Sequence, residues 1–139
     1  MSEEELPLVV QALAESRRRL RFLLGGYVVL PDHWHALIWP QPPLTISQAV
    51  QSVKWRTASL LNRERGARGA VWQLQFWDRF VRHERELTVR LDYMHHNPVR
   101  RGLVKRPEDW RWSSYNSFSL EKQRVAGCPV PVDYVRMAG

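Results

Sequence analysis

With only one cysteine, Cys128, the chain can form no internal disulfide, and nothing in its fold requires an oxidising compartment. No stretch is long and apolar enough to span a bilayer. The start, Met1-Ser2-Glu3-Glu4-Glu5, lacks the basic residues and apolar run of a secretory signal. These absences predict a cytoplasmic protein with no membrane partner. Repeats and low-complexity tracts are also missing, and 139 residues suit one domain with a sizeable core. Acidic residues are scarce relative to basic ones, 14 against 21 Lys and Arg, which leaves a formal net charge of +7. An excess of that size points to anionic partners, a solvated basic surface being the plain alternative.

What is abundant is tryptophan, seven in all. Aromatic faces set among arginines suit the stacking of unpaired bases, although burial in a core is the commoner fate of the indole. The apolar pattern predicts a helix over about Glu4–Phe22, with Leu6, Val9, Val10, Leu13 and Leu20 at helical spacing and Pro7 in the first turn. Gly25 and Gly26 break that pattern. Tyr27–Leu30 and His33–Trp39 then read as two strands joined by a tight turn at Pro31-Asp32. A second helix is expected over about Ile46–Arg65. It opens with the capping-box spacing of Thr45 and Gln48, presents Lys54, Arg56 and Arg63 on its polar side, and is closed by Gly66 and Gly69. Val71–Arg82 reads as a further strand. Glu84 to about His96 reads as a third helix with Leu87, Leu91 and Met94 inward, stopped by Pro98. Beyond Val99 the chain is loop-rich, with Trp110, Trp112 and Tyr115 expected to pack back on the domain. The order α-β-β-α-β-α predicts an α+β fold of two layers with an antiparallel sheet. It would be ferredoxin-like if one more strand preceded the first helix.

Two stretches could carry chemistry. In His33-Trp34-His35, strand alternation projects both imidazoles from one face, where they could share a cation; a structural or surface role is the other reading of so short a spacing. In Asp92-Tyr93-Met94-His95-His96-Asn97-Pro98, the phenol of Tyr93 stands one helical turn before the amide of Asn97 and on the same face. A phenol can attack a phosphodiester where a metal and nearby cations stabilise the developing charge. A hydrogen-bonded rim or core tyrosine is the alternative, and His95 and His96 could be a solvated helix end. Arg79 and Arg82, beside the alternating aromatic stretch Trp72–Phe80, could grip phosphates together with Lys54, Arg56 and Arg63.

The run Tyr27-Val28-Val29-Leu30-Pro31-Asp32-His33-Trp34-His35, then Trp72-Gln73…Phe76-Trp77-Asp78, then Asp92-Tyr93…Asn97-Pro98-Val99-Arg100-Arg101-Gly102-Leu103-Val104, resembles the REP-associated tyrosine transposases. These are relatives of the single-tyrosine insertion-sequence transposases within the HUH endonucleases. Trp110-Arg111-Trp112-Ser113-Ser114-Tyr115 is similar to the family's ending, and the likeness covers about residues 8 to 118. It divides the chain into a transposase-like domain, 1–118, and a tail, 119–139. The resemblance implies a ferredoxin-like two-layer sandwich and an enzyme that binds single-stranded DNA near a hairpin and cuts one strand. By the same resemblance Tyr93 is the nucleophile and keeps the 5′ phosphate, His33 and His35 are metal ligands, and Asn97 completes the metal shell, with His96 as a rival third ligand. Mg²⁺ or Mn²⁺ is the expected cofactor, since imidazole suits Mn²⁺ better and Mg²⁺ prefers oxygen. Hairpin DNA is the expected partner, and a homodimer is compatible with it.

The pattern departs from the family in two places. Members ordinarily begin with a strand before the first helix, whereas here the first element is a helix; a start placed too late or a degraded copy would each account for it, with exposed sheet edges as the expected consequence. Trp34 is bulky for the middle of its motif and should point away from the metal into the layer beneath. A nucleic-acid-binding module without catalysis is the competing expectation, and a zinc-stabilised fold using His33 and His35 is a third.

Overall fold

The computed structural model describes residues 2–68 and 84–115. Helix α1 (Leu6–Leu20) follows a 3-10 turn at Glu3–Glu5, and Pro7 occupies its first turn, where a missing N–H costs nothing. Leu6, Val9, Val10 and Leu13 are buried along one stripe. The helix ends earlier than its pattern predicts: Arg21 adopts a left-handed conformation with φ 59° and donates its N–H to the Arg17 carbonyl. Glycine usually fills that position. The nearest glycines, however, are committed to the next element.

Strand β1 (Leu23–Val29) runs antiparallel to β2 (Trp34–Trp39), so Gly25 and Gly26 lie inside a strand rather than ahead of it. Two close approaches explain why. A Cβ on Gly25 would stand 2.6 Å from the Trp39 ring, and one on Gly26 would stand 2.4 Å from Leu91 Cδ2 and 3.3 Å from Met94 Cε. The register shifts between Leu24 and Gly26, the bulge that glycine in a strand often marks. The expected turn at Pro31-Asp32 is present, closed by the Leu30 N–H to His33 carbonyl bond at 2.8 Å.

Helix α2 (Ile46–Arg65) begins with the predicted capping box, Thr45 Oγ1 accepting from the Gln48 N–H at 3.2 Å and Gln48 Oε1 accepting from the Thr45 N–H at 2.9 Å. It ends at Gly66, φ 64°. α1 and α2 pack together through Ala49, Val53 and Leu61, with a Ser16–Ser52 hydroxyl contact at 2.9 Å. Glu5 at the start of α1 takes a two-armed ion pair from Arg65 at the end of α2, at 2.5 and 2.9 Å. The Arg65 hydrogen bonds hold the Glu5 carboxyl down at about 2.

Helix α3 (Glu84–Arg100) continues past the expected stop, with Pro98 inside it. A proline this near a helix end removes one hydrogen bond and leaves the last turn intact. Arg101 N–H still reaches the Asn97 carbonyl at 3.0 Å, and Leu103 N–H reaches that of Pro98 at 2.9 Å. Leu87 and Met94 are buried and Leu91 packs on the core, as the pattern predicts. The closing segment packs back on β1: Val29 N–H bonds Trp112 O at 2.8 Å, Ser114 N–H bonds Tyr27 O at 3.0 Å, and Trp110 Nε1 bonds Val29 O at 3.0 Å. The outer edge of β1 is therefore covered rather than exposed, and among the described residues β2 pairs with β1 alone. Among the described residues the architecture is α+β, three α-helices with an antiparallel strand pair. The strand expected over Val71–Arg82 lies outside the described residues, as does the tail, 119–139. No described helix is long and apolar enough to cross a membrane.

Two stability predictions follow from these contacts. Gly26→Ala should cost roughly 1–3 kcal/mol in urea denaturation by overpacking the α3 contact; combined with Leu91→Ala, the total loss should fall short of the sum of the two single losses. Because the Glu5 carboxyl titrates lower in the folded chain than its ordinary 4.5, its contribution is complete above about pH 4.5 and disappears as the pH falls through about 2. Glu5→Gln should therefore melt below wild type at pH 7, and the gap in melting temperature should close towards pH 2.

Candidate functional site

Antiparallel partners share a face, and successive residues alternate. Val28 pairs with His35 and Gly26 with Leu37, so His33, His35 and Gly26 all face the same side. It is the side on which Leu91 and Met94 of α3 press on Gly26. Trp34 alternates to the opposite face and packs against the buried core, as expected of it. Tyr27 and Val29 also turn that way, where α1 packs.

The two imidazole rings stand 4.8 Å apart, edge to face. Burial, and after it the neighbouring His33 and Arg101, holds the His35 imidazole down at about 4, so its nitrogen lone pair is available near neutral pH. His33 Nδ1 lies 2.7 Å from Asp32 Oδ1. A carboxylate behind a histidine is the usual way of fixing a metal-ligating ring, leaving Nε2 to face the cation.

Asn97 is on the sheet-facing stripe of α3, only 7% exposed, and its Oδ1 is buried without a hydrogen-bond partner. An orphaned amide oxygen of this kind is a natural oxygen ligand for a divalent cation. Pro98 does not move Asn97 past the helix, since the last turn persists around it. His96, the rival, is exposed and its Nδ1 donates to the Asp92 carbonyl of its own helix at 2.9 Å. Among the described residues no three His, Cys, Asp or Glu side chains cluster as a metal site. Two imidazoles and one amide oxygen are donors that suit a cation of the Mn²⁺ or Mg²⁺ kind.

Tyr93 is 53% exposed, on the flank of α3 rather than on its buried stripe. The Arg100 guanidinium sits over its ring, 4.3 Å from the centroid, and also donates to the Tyr93 carbonyl. His95 is not a solvated helix end: it is buried, contacts Ser114 Oγ through Nε2 at 2.8 Å, and is held down at about 4, chiefly by burial.

Of the basic residues predicted to meet phosphate, Arg63 is exposed on α2. Arg56 is turned towards α1, with Glu15 at 3.6 Å and Ser52 Oγ at 3.4 Å, and Lys54 is half-buried. Arg79 and Arg82 lie outside the described residues. Three neighbours of the site escaped the sequence reading: Asp32, read only as a turn former, and Arg100 and Arg101, which fall beyond the expected helix end. Arg100 stands seven residues after Tyr93, a helical spacing visible only if the helix runs through Pro98.

A buried acceptor without a partner costs roughly 1–3 kcal/mol. Asn97→Leu should therefore raise the melting temperature of the metal-free protein, while the further rise that Mn²⁺ produces in wild type should vanish. A variant that Mn²⁺ still stabilises as it does wild type would remove Asn97 from the donor set.

The family model for IS200-like transposases matches residues 3–96. A REP-associated tyrosine transposase of Escherichia coli (strain K12) is 30% identical over 105 residues, 76% of this chain and 61% of that protein. A putative REP-associated tyrosine transposase of Haemophilus influenzae (strain ATCC 51907 / DSM 11121 / KW20 / Rd) is also 30% identical, over 98 residues, 63% of this chain and 56% of that one. The chain thus spans about three-fifths of the length of these curated relatives. In three dimensions it is similar to a REP-associated tyrosine transposase solved with a REP hairpin bound, at a TM-score of 0.72 and 23% identity over 98% of this chain and 79% of that one, a likeness of fold.

Proposed function

The chain belongs to the IS200-like transposase family, and on that premise we propose that it cuts and rejoins single-stranded DNA beside a hairpin, with Tyr93 as nucleophile. The observation that carries this reading is the placement of α3. It lies on the face of the sheet that presents His33 and His35, and Arg101, just past its end, reaches the Asp32 and His33 side chains. In the same reading β1 and β2 are neighbouring strands of a ferredoxin-like sandwich. Hairpin DNA is the substrate class because the structurally similar protein was solved holding a REP hairpin.

The Tyr93 hydroxyl loses its proton and its oxygen bonds to the scissile phosphorus. The bond from phosphorus to the 3′ oxygen breaks, that oxygen takes up a proton, and a 5′-phosphotyrosine link and a free 3′ hydroxyl result. Rejoining is the reverse attack by a 3′ hydroxyl, so bond energy is conserved and no nucleotide cofactor is consumed. Arg100, over the phenol ring, adds positive charge where a phosphate would arrive. His33, His35 and Asn97 would hold Mg²⁺ or Mn²⁺, which supplies Lewis-acid charge at the phosphate when bound. Exposure of Tyr93 suits a polymer that must reach the nucleophile from solvent. Lys54, Arg63, Arg79 and Arg82 are the cations proposed to meet the DNA backbone, Arg56 being turned to Glu15.

Incubated with a hairpin-bearing single strand and Mn²⁺, the wild type should form a covalent protein–DNA adduct visible on a denaturing gel. Tyr93→Phe should give none, while its affinity for the same strand stays within a few-fold of wild type. Binding by the wild type with no adduct would instead favour a nucleic-acid-binding module without catalysis.

A further inference from the structure

Asp32 and Arg101, 69 residues apart, meet in a fork: Nη1 donates to Oδ1 at 2.6 Å and Nη2 to Oδ2 at 2.9 Å. The same Oδ1 lies 2.7 Å from His33 Nδ1, and Nη1 lies 3.0 Å from that nitrogen. Arginine can only donate and a carboxylate can only accept. Two donors converging on one oxygen make both contacts to that oxygen attractive, whereas an unprotonated Nδ1 would set its lone pair against Oδ1. A hydrogen bond from His33 to Asp32 therefore uses the Nδ1 proton, which turns Nε2 away from the carboxylate.

Stability does not account for the fork. The Arg101 and Asp32 side chains are 40% and 63% exposed, and solvent screens pairs of this kind strongly. Its partners are more telling. Asp32 belongs to the β1–β2 turn and touches His33; Arg101 immediately follows α3, and its N–H is bonded to the Asn97 carbonyl at 3.0 Å. One planar, two-armed contact thus spans the turn that starts the imidazole pair and the helix that carries Asn97 and Tyr93.

We propose that Arg101 is a positioning residue for the divalent-cation site: its fork on Asp32 sets the ring and tautomer of His33 and keeps the end of α3, with the Asn97 amide, in register with the two imidazoles. This rests on the reading of His33, His35 and Asn97 as cation ligands. Lysine in its place would keep the charge but not the planar fork, so it could not hold both carboxylate oxygens.

The test is Mn²⁺ titration of the full chain by calorimetry, with metal-free melting measured alongside, for wild type, Arg101→Ala, Arg101→Lys, Asp32→Asn and the double variant His33→Ala/His35→Ala. Loss of a carboxylate or its support behind a metal-ligating histidine typically lowers metal affinity about 10–100-fold. That range is expected for Arg101→Ala, Arg101→Lys and Asp32→Asn, with metal-free melting close to wild type. Wild-type Mn²⁺ affinity in Arg101→Ala and Arg101→Lys would overturn the proposal. So would a lowered affinity that tracks a lowered melting temperature and is restored with it by lysine, the signature of a plain structural ion pair. If wild type bound Mn²⁺ no better than the double histidine variant, the cation site itself would fall, a result distinct from both.

Discussion

The absence of a side chain at Gly26 governs how the site is assembled. With Leu91 Cδ2 at 2.4 Å from where a Cβ would stand, α3 lies directly on the sheet backbone, on the face that carries the imidazole pair. Any side chain there would lift the helix, and with it Tyr93 and Asn97, away from His33 and His35. Gly25 serves the partner strand in the same way by making room for the Trp39 ring. Committing both glycines to β1 leaves α1 to end on Arg21 in a left-handed conformation, which costs a non-glycine residue about 1–2 kcal/mol.

Burial divides the labour among the side chains of the site. Asn97 is buried and its amide oxygen lacks a partner, while His35 is half-buried in β2 and its imidazole stays neutral. Tyr93 is left at the surface, beneath the Arg100 guanidinium. In the proposed reading, ligands benefit from being held rigidly, whereas a group that meets a DNA strand must be reachable. Asp32 stands between these zones as the carboxylate touching His33, and the Arg101 hydrogen bonds hold it well below the usual carboxylate range, so it remains an acceptor across the working pH span.

The family assignment accords with that arrangement, and the match spans about three-fifths of the curated relatives' length. Basic charge is less simply deployed than the composition suggests. Arg65 and Arg56 spend theirs on Glu5 and Glu15 to join α1 and α2, whereas Arg63 stays at the surface. Net charge is thus a poor guide to which cations a phosphate backbone would meet.

Local pattern alone determined much of this protein. The periodicity of Leu6, Val9, Val10 and Leu13, the Thr45–Gln48 capping box, the Pro31-Asp32 turn and the shared face of His33 and His35 each depend on residues within a few positions of one another, and each appears where the amino acids place it. Only the tertiary structure decided that Gly25 and Gly26 belong to a strand, that α3 runs through Pro98, that His95 is buried, and that Arg101 grips Asp32. Those outcomes turn on groups distant along the chain. A glycine reads as a breaker until a helix is known to press on it, and a proline reads as a stop until packing is seen to hold the turn beyond it. An aspartate in a turn has no visible partner until folding brings an arginine 69 residues away to its two oxygens.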